Sequence, residues 1–221
     1  PENGREDLFV GSAKGQISSI FFQELNGSFK SYNSAFEKDI LSEDIDCLID
    51  DFNGDGKLDL IVASGGSEYS KFSPELRDRL YLNIGDKKLK KLPNSLSTIS
   101  SFESTSTISS YDFDRDGDKD LFLGTRLNPG AYGTKTRSYL LENNGEGVFK
   151  DISEKYLGDA RFMGMVTDSE FIDIDNDNTK ELVVVGEWMP VKIFKFLQNN
   201  LVDITDSLGL SKTNGLYNNM H

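Results

Sequence analysis

The sequence predicts an all-β fold built from a repeated unit, and three observations carry that expectation. An acidic nonapeptide recurs as DFNGDGKLD (51–59), DFDRDGDKD (112–120) and DIDNDNTKE (173–181), with starts 61 residues apart both times. Each copy runs directly into a short apolar stretch, LIVA (60–63), LFL (121–123) and LVVV (182–185). Between copies, apolar and polar residues alternate with the period of a strand, and nothing sustains a helical period over the about 10–12 residues a helix needs.

The elements follow in chain order. The N-terminus reads NGREDLFV (3–10), the back half of an acidic loop and its strand. Alternating segments RLYLN (79–83), SYLLE (138–142) and VKIFKF (191–196) read as further strands. They lead into turns at Asn26-Gly27, Gly85-Asp86, NNGEG (143–147) and QNN (198–200). After each turn two apolar residues stand three apart: Phe29 and Tyr32, Leu89 and Leu92, Phe149 and Ile152, Leu201 and Ile204. One region, 1–221, is thereby divided into units of approximately 1–46, 47–107, 108–168 and 169–221, the first and last incomplete. A unit of this size with several short strands suits a propeller blade, a four-stranded sheet set radially around an axis. A sandwich would not require the same loop at constant spacing, and β-helix repeats are much shorter. The expected architecture is a β-propeller of about four blades.

Composition narrows the function. The net charge is −13 and the pI near 4.5, which disfavours nucleic acid, whose phosphates call for basic patches. The single cysteine, Cys47, permits neither an internal disulfide nor a cysteine zinc site. The only histidine is His221, which argues against a Ser-His-Asp or Cys-His catalytic pair. No apolar run approaches the about 20 residues of a membrane span. Twelve of the 37 acidic residues fall within the three nonapeptides, so the acidity is concentrated there.

That concentration points to a cation. Positions one, three, five and nine of each loop carry side-chain oxygens: Asp51, Asn53, Asp55 and Asp59; Asp112, Asp114, Asp116 and Asp120; Asp173, Asp175, Asp177 and Glu181. A tight loop turns alternate side chains inward, and the backbone carbonyl of position seven (Lys57, Asp118, Thr179) can join them. Six to eight oxygens at about 2.3–2.6 Å is what Ca²⁺ prefers, and about three such sites are expected. Position six, Gly56, Gly117 or Asn178, suits a sharp turn at positive φ. Asp, Asn and Gly are good turn formers in any loop, but turn formation alone does not explain three loops in one register. An EF-hand would need a bidentate Glu at position twelve, where Val62, Leu123 and Val184 stand instead. The calcium-sensor and dockerin-like readings fail with it. Asn178 and the longer Glu181 make the third loop the least regular, and Asp7 with Asn3 would form a fourth site only with chain upstream.

With these residues the chain resembles the FG-GAP or VCBS repeat of integrin-α-like β-propellers. The stretches VASGGSEY (62–69), RLYLN (79–83), RSYLLEN (137–143), VVGEWMP (184–190) and TNG (213–215) are similar to repeat proteins that often carry an ASPIC/UnbV-type domain. Such proteins are commonly secreted or displayed on bacterial surfaces, and the resemblance spans nearly the whole chain. It implies calcium ions that hold a hairpin rather than a catalytic metal, with the twelve side chains above as ligands. It also implies part of a larger, for instance seven-bladed, propeller, a closed four-bladed ring being the alternative.

The function expected is a non-catalytic binding or scaffolding module, extracellular or at the cell surface, with a protein or glycan ligand. A subunit of a larger surface complex is one alternative. A propeller-type polysaccharide lyase or glycosidase is another, for which no free carboxyl pair stands out. The two middle units carry about ten extra residues after position nine, in 65–78 and 126–136. Their aromatic and basic residues Tyr69, Phe72, Arg77, Arg126, Tyr132 and Lys135 are the candidate partner surface. The competing reading is that these connections pack over neighbouring blades, and Trp188 is read as packing rather than a sugar platform.

Overall fold

The structure, a computed structural model, describes residues 4–96, 103–197 and 200–220. Asn3 of the N-terminal half motif, Gln198 and Asn199 of the last turn, and His221 lie outside the described residues.

Where apolar and polar residues alternate, strands form, and all but the last, β16 (Gly215–Leu216), pair only with sequence neighbours. The first sheet is β1 (Leu8–Val10), β2 (Ser19–Gln23) and β3 (Phe29–Tyr32). The second is β4 (Glu43–Asp50), β5 (Asp59–Gly65), β6 (Arg79–Asn83) and β7 (Leu89–Lys91). The third is β8 (Ser104–Tyr111), β9 (Asp120–Leu127), β10 (Tyr139–Asn143) and β11 (Phe149–Asp151). The fourth is β12 (Met165–Ile172), β13 (Glu181–Met189), β14 (Lys192–Leu197) and β15 (Asn200–Asp203), and β16 (Gly215–Leu216) adds to β13. All pairings between these strands are antiparallel. Among the described residues the α-helical content is one short segment, α1 (Ser153–Leu157), which follows β11.

Each acidic loop closes the hairpin between the first two strands of its sheet, at the same register: Asp50 faces Asp59, Tyr111 faces Asp120, and Ile172 faces Glu181. The first strand of each of these sheets also bulges, between Asp44 and Asp46, Thr105 and Thr107, and Val166 and Asp168. The bulges repeat with the loops, a periodicity that residue types alone do not announce.

The core lies between sheets. Along β5, Leu60 and Val62 pack with Phe36 and Tyr81 toward the first sheet, while Ile61 and Ala63 pack with Leu121 and Leu123 of the third. Phe122, one residue on, turns the other way and joins Phe171, Leu182, Val184 and Phe194 of the fourth. Period-two alternation in a strand buried on both faces thus splits each apolar run between two interfaces. This face-to-face stacking of four-stranded meanders is a β-propeller. Neighbouring first strands join through polar groups: the Ile108 amide donates to Asp46 (2.9 Å), and the Ser106 hydroxyl to the Val166 carbonyl (2.6 Å).

Asp78 bridges two sheets, accepting from the Ser64 amide (2.7 Å) and the Thr105 hydroxyl (2.9 Å). Burial pushes its carboxyl from 3.8 up to about 6, against those hydrogen bonds. The folded protein then holds this proton more tightly than the unfolded chain. The stabilisation is complete below about pH 4 and is lost as pH rises through about 6. Asp78→Asn is expected to flatten the fall in stability between about pH 4 and 6, read from urea midpoints. An unchanged slope would count against Asp78 as its source.

Candidate functional site

The three acidic loops share one backbone. Position six is left-handed in each, with φ of 80° at Gly56, 104° at Gly117 and 65° at Asn178. Position four is left-handed as well, at Gly54 (69°), Arg115 (66°) and Asn176 (60°), which the residue pattern concealed because an arginine rarely adopts it.

Carboxylates at fixed positions hold that path. Position one caps the turn: Asp51 accepts from the amides of Asp55 (3.2 Å) and Gly56 (2.8 Å), and Asp173 from those of Asp177 (3.1 Å) and Asn178 (2.9 Å). Asp112 accepts from Gly117 (3.1 Å) through one oxygen only. Position three accepts from the position-five amide in the first two loops, Asn53 from Asp55 and Asp114 from Asp116 (3.2 Å each). Position five accepts from the position-seven amide: Asp55 from Lys57 (2.9 Å), Asp116 from Asp118 (2.9 Å) and Asp177 from Thr179 (2.8 Å). Position nine is buried in all three, at 0% exposure for Asp59, Asp120 and Glu181. Asp59 ties the amides of Phe52 (3.1 Å) and Asn83 (2.7 Å), and Asp120 those of Phe113 (3.2 Å) and Asn143 (2.9 Å). Glu181 takes the Ile174 amide at 3.0 Å.

The side chains at position seven differ. The Lys57 ammonium pairs with Asp55 at 2.9 Å, and Thr179 accepts from Arg115 of the preceding loop at 3.1 Å. Asp118 leans on the β10–β11 turn, where a Cβ at Gly145 would lie 2.6 Å from its carboxylate.

The loops differ in how much negative charge remains unmatched. In the second, one oxygen each of Asp112, Asp114 and Asp120 lie within 4.8 Å of one another. Asp112 Oδ1 is buried there with no hydrogen-bond partner among the described residues. Burial, and then the charges of Asp114 and Asp116, push the Asp120 carboxyl up to about 7. Asp114 is raised too, by burial and then by Asp116, Asp112 and Glu142. An orphaned carboxylate oxygen among mutually repelling carboxylates fits a hard, oxygen-seeking cation. The first loop offers less: both oxygens of Asp51 accept backbone amides, and Lys57 engages both oxygens of Asp55 and lowers its pKa. In the third, Asp173, Asp175 and Glu181 also converge, but Lys195 from β14 lies among them.

The partner candidates are scattered. Tyr69 is buried, its hydroxyl donating to the Leu41 carbonyl (2.7 Å), which takes it out of solvent. Phe72 is 61% exposed beneath the Lys71 ammonium, and Arg77 is exposed with its carbonyl accepting from Ser64 (2.7 Å). Lys135 is exposed, its carbonyl accepting from Asn128 at 3.4 Å. Arg126 and Tyr132 do meet, across the sheet boundary, on Glu187 of β13: Arg126 at 2.5 Å and the Tyr132 hydroxyl at 2.8 Å. Trp188 stands edge-on to Tyr132, ring centres 5.8 Å apart, yet remains 59% exposed. Its φ of 57° is unusual for so bulky a residue and turns it out of the strand. The sequence reading missed Glu187 and placed Trp188 in packing, because the bulge in the β13–β16 pairing shows only in the register.

Residues 51–123 match the FG-GAP-like repeat. The match runs from the first acidic loop through the second to the apolar stretch that follows it. No curated protein matches the chain. Among solved structures, a lectin from Agrocybe aegerita, described for its specific recognition of non-reducing terminal N-acetylglucosamine, is similar over 93% of this chain. The TM-score is 0.54 and the identity 14%, which makes the likeness one of fold. This chain spans about half (49%) of the length of that solved chain.

Proposed function

We propose that this protein is a non-catalytic binding module, stabilised by calcium at the second of its acidic loops above all and working outside the cell or at its surface. The observation that carries the binding role is the ledge formed by Arg126, Tyr132, Glu187 and Trp188. There the Glu187 carboxylate, paired with Arg126, holds the exposed Tyr132 through its hydroxyl, and the exposed Trp188 ring stands edge-on to Tyr132. Backbone strain at an exposed aromatic is typical of residues positioned for contact, and rigid aromatics beside an arginine suit a protein or glycan ligand. The FG-GAP-like repeat and the fold shared with a lectin support a binding role and supply N-acetylglucosamine oligomers as the first ligands to try. No helix among the described residues is long and apolar enough to cross a membrane.

The calcium part rests on the orphaned Asp112 oxygen and its convergent neighbours. There the ion would be held by Asp112, Asp114 and Asp120, neutralise their repulsion and fasten the β8–β9 hairpin.

Trp188 is the only tryptophan, so its emission reports on the ledge directly. Titrating N-acetylglucosamine oligomers, and then a wider glycan panel, is expected to shift that emission. Tyr132→Ala should weaken binding roughly tenfold or more, as loss of a hot-spot aromatic does. A flat response across the panel would remove glycans as the ligand class and direct the search to proteins.

A further inference from the structure

The fourth sheet's acidic loop contains a cation of its own. Strand register aligns Leu60 with Tyr81, Leu121 with Leu141 and Leu182 with Phe194, which makes Leu82, Glu142 and Lys195 equivalent, each one residue further along. The position is neutral in the second sheet. In the third it is negative, and Glu142 adds to the charge felt by Asp114. In the fourth it is positive: the Lys195 ammonium lies 2.6 Å from Asp175, 2.8 Å from Asp177 and 2.8 Å from Glu181, with its side chain only 13% exposed. Those are positions three, five and nine of the loop, the positions whose oxygens would otherwise face a metal.

The rest of the loop is adapted to this arrangement. The ammonium donates hydrogen bonds to Asp175 and Asp177, and it stands in ion-pair contact with Glu181 Oε1, a buried oxygen that has no hydrogen bond of its own among the described residues. Both oxygens of Asp173 already accept backbone amides, unlike those of Asp112, and so need no ion. Asp59 and Asp120 each spend their second oxygen on a backbone amide of the third strand, at Asn83 and Asn143. Glu181, one methylene longer, instead presents its second oxygen to Lys195. A buried carboxylate oxygen left unmatched would be costly. The two departures from the repeat, Glu181 in the loop and Lys195 in β14, therefore complete one another.

We propose that Lys195 takes the place of the metal ion in the fourth sheet, closing that loop at any calcium concentration, while the second loop depends on the ion. The contrast with the second loop rests on the calcium reading above; the role of Lys195 does not.

The experiment counts bound ions, with terbium as a luminescent substitute for calcium, in the wild-type chain and in Lys195→Met, Glu181→Gln and Asp112→Asn. Melting curves in EDTA accompany each count. Lys195→Met is expected to gain one ion per chain over wild type and to melt lower in EDTA. Glu181→Gln is expected to leave the wild-type count unchanged. A wild-type chain that loses an ion on Glu181→Gln, or a folded Lys195→Met chain that gains none, would overturn the proposal. If Lys195→Met does not fold, the Glu181→Gln count decides alone. Failure of the calcium reading shows separately, as an Asp112→Asn chain that binds as many ions as wild type.

Discussion

In about 10 mM calcium the protein is expected to melt well above its temperature in EDTA. An extracellular calcium module with a dissociation constant of about 10⁻⁴–10⁻³ M gains roughly 1.4–2.7 kcal/mol per filled loop at that concentration. For a chain of this size that corresponds to roughly 3–10 °C per loop. The second loop should supply most of the shift: two buried loop carboxylate oxygens lack a hydrogen bond among the described residues, but Glu181 Oε1 lies 2.8 Å from the Lys195 ammonium, whereas Asp112 Oδ1 is in no ion pair there. Asp112→Asn is the sharper variant, since asparagine can still accept the Gly117 amide while removing the charge. It is expected to shrink the calcium-dependent shift and to leave the melt in EDTA unchanged or slightly higher, because like-charge repulsion among Asp112, Asp114 and Asp120 is relieved. Equal melting temperatures in calcium and EDTA for the wild-type chain would rule out calcium as a staple.

Phe52→Ala is expected to cost about 3–5 kcal/mol, the usual range for emptying a buried phenylalanine site. Phe52 is 1% exposed at position two of the first loop, and its ring meets Phe149 of the third sheet edge-on at 6.1 Å. Its amide donates to Asp59 and its carbonyl accepts from the Asn143 side chain at 2.9 Å. The loop is thus wedged between two sheets by its second residue, and the same ring supports both the interface and the site. Phe113 does this for the second loop, stacked 4.9 Å from Phe196. Ile174 occupies the position in the third loop but is 39% exposed, so Ile174→Ala should cost no more than about 1 kcal/mol. Urea unfolding of the two variants checks the contrast; similar losses would show that position two does not wedge the loops.

Much of the fold was legible because the repeat is chemical as well as periodic. A nonapeptide of alternating oxygens followed by an apolar run has few structural meanings, and three copies at constant spacing imply stacked units. Positive φ at position six was readable from Gly56, Gly117 and Asn178, since few residue types tolerate it. Positive φ at position four was not, because Arg115 adopts it under constraint from its loop. The aromatic ledge was half legible: the inserted segment 126–136 pointed to Arg126 and Tyr132. Their partner Glu187 lies 61 residues beyond Arg126 and meets it only when adjacent sheets stack.

The sequence by itself determined the all-β class, the repeat, the hairpin loops and the residues able to hold a cation, because these follow from local spacing and side-chain chemistry. Tertiary structure decided how that chemistry is used. Three loops that share one pattern of side-chain oxygens become one with an orphaned carboxylate oxygen, one largely satisfied by its own backbone and Lys57, and one filled by Lys195. The reason is electrostatic: whether a cluster of carboxylates needs an ion depends on the charge its neighbours already supply. In the fourth sheet that charge arrives from a different strand, placed by register rather than by proximity in sequence.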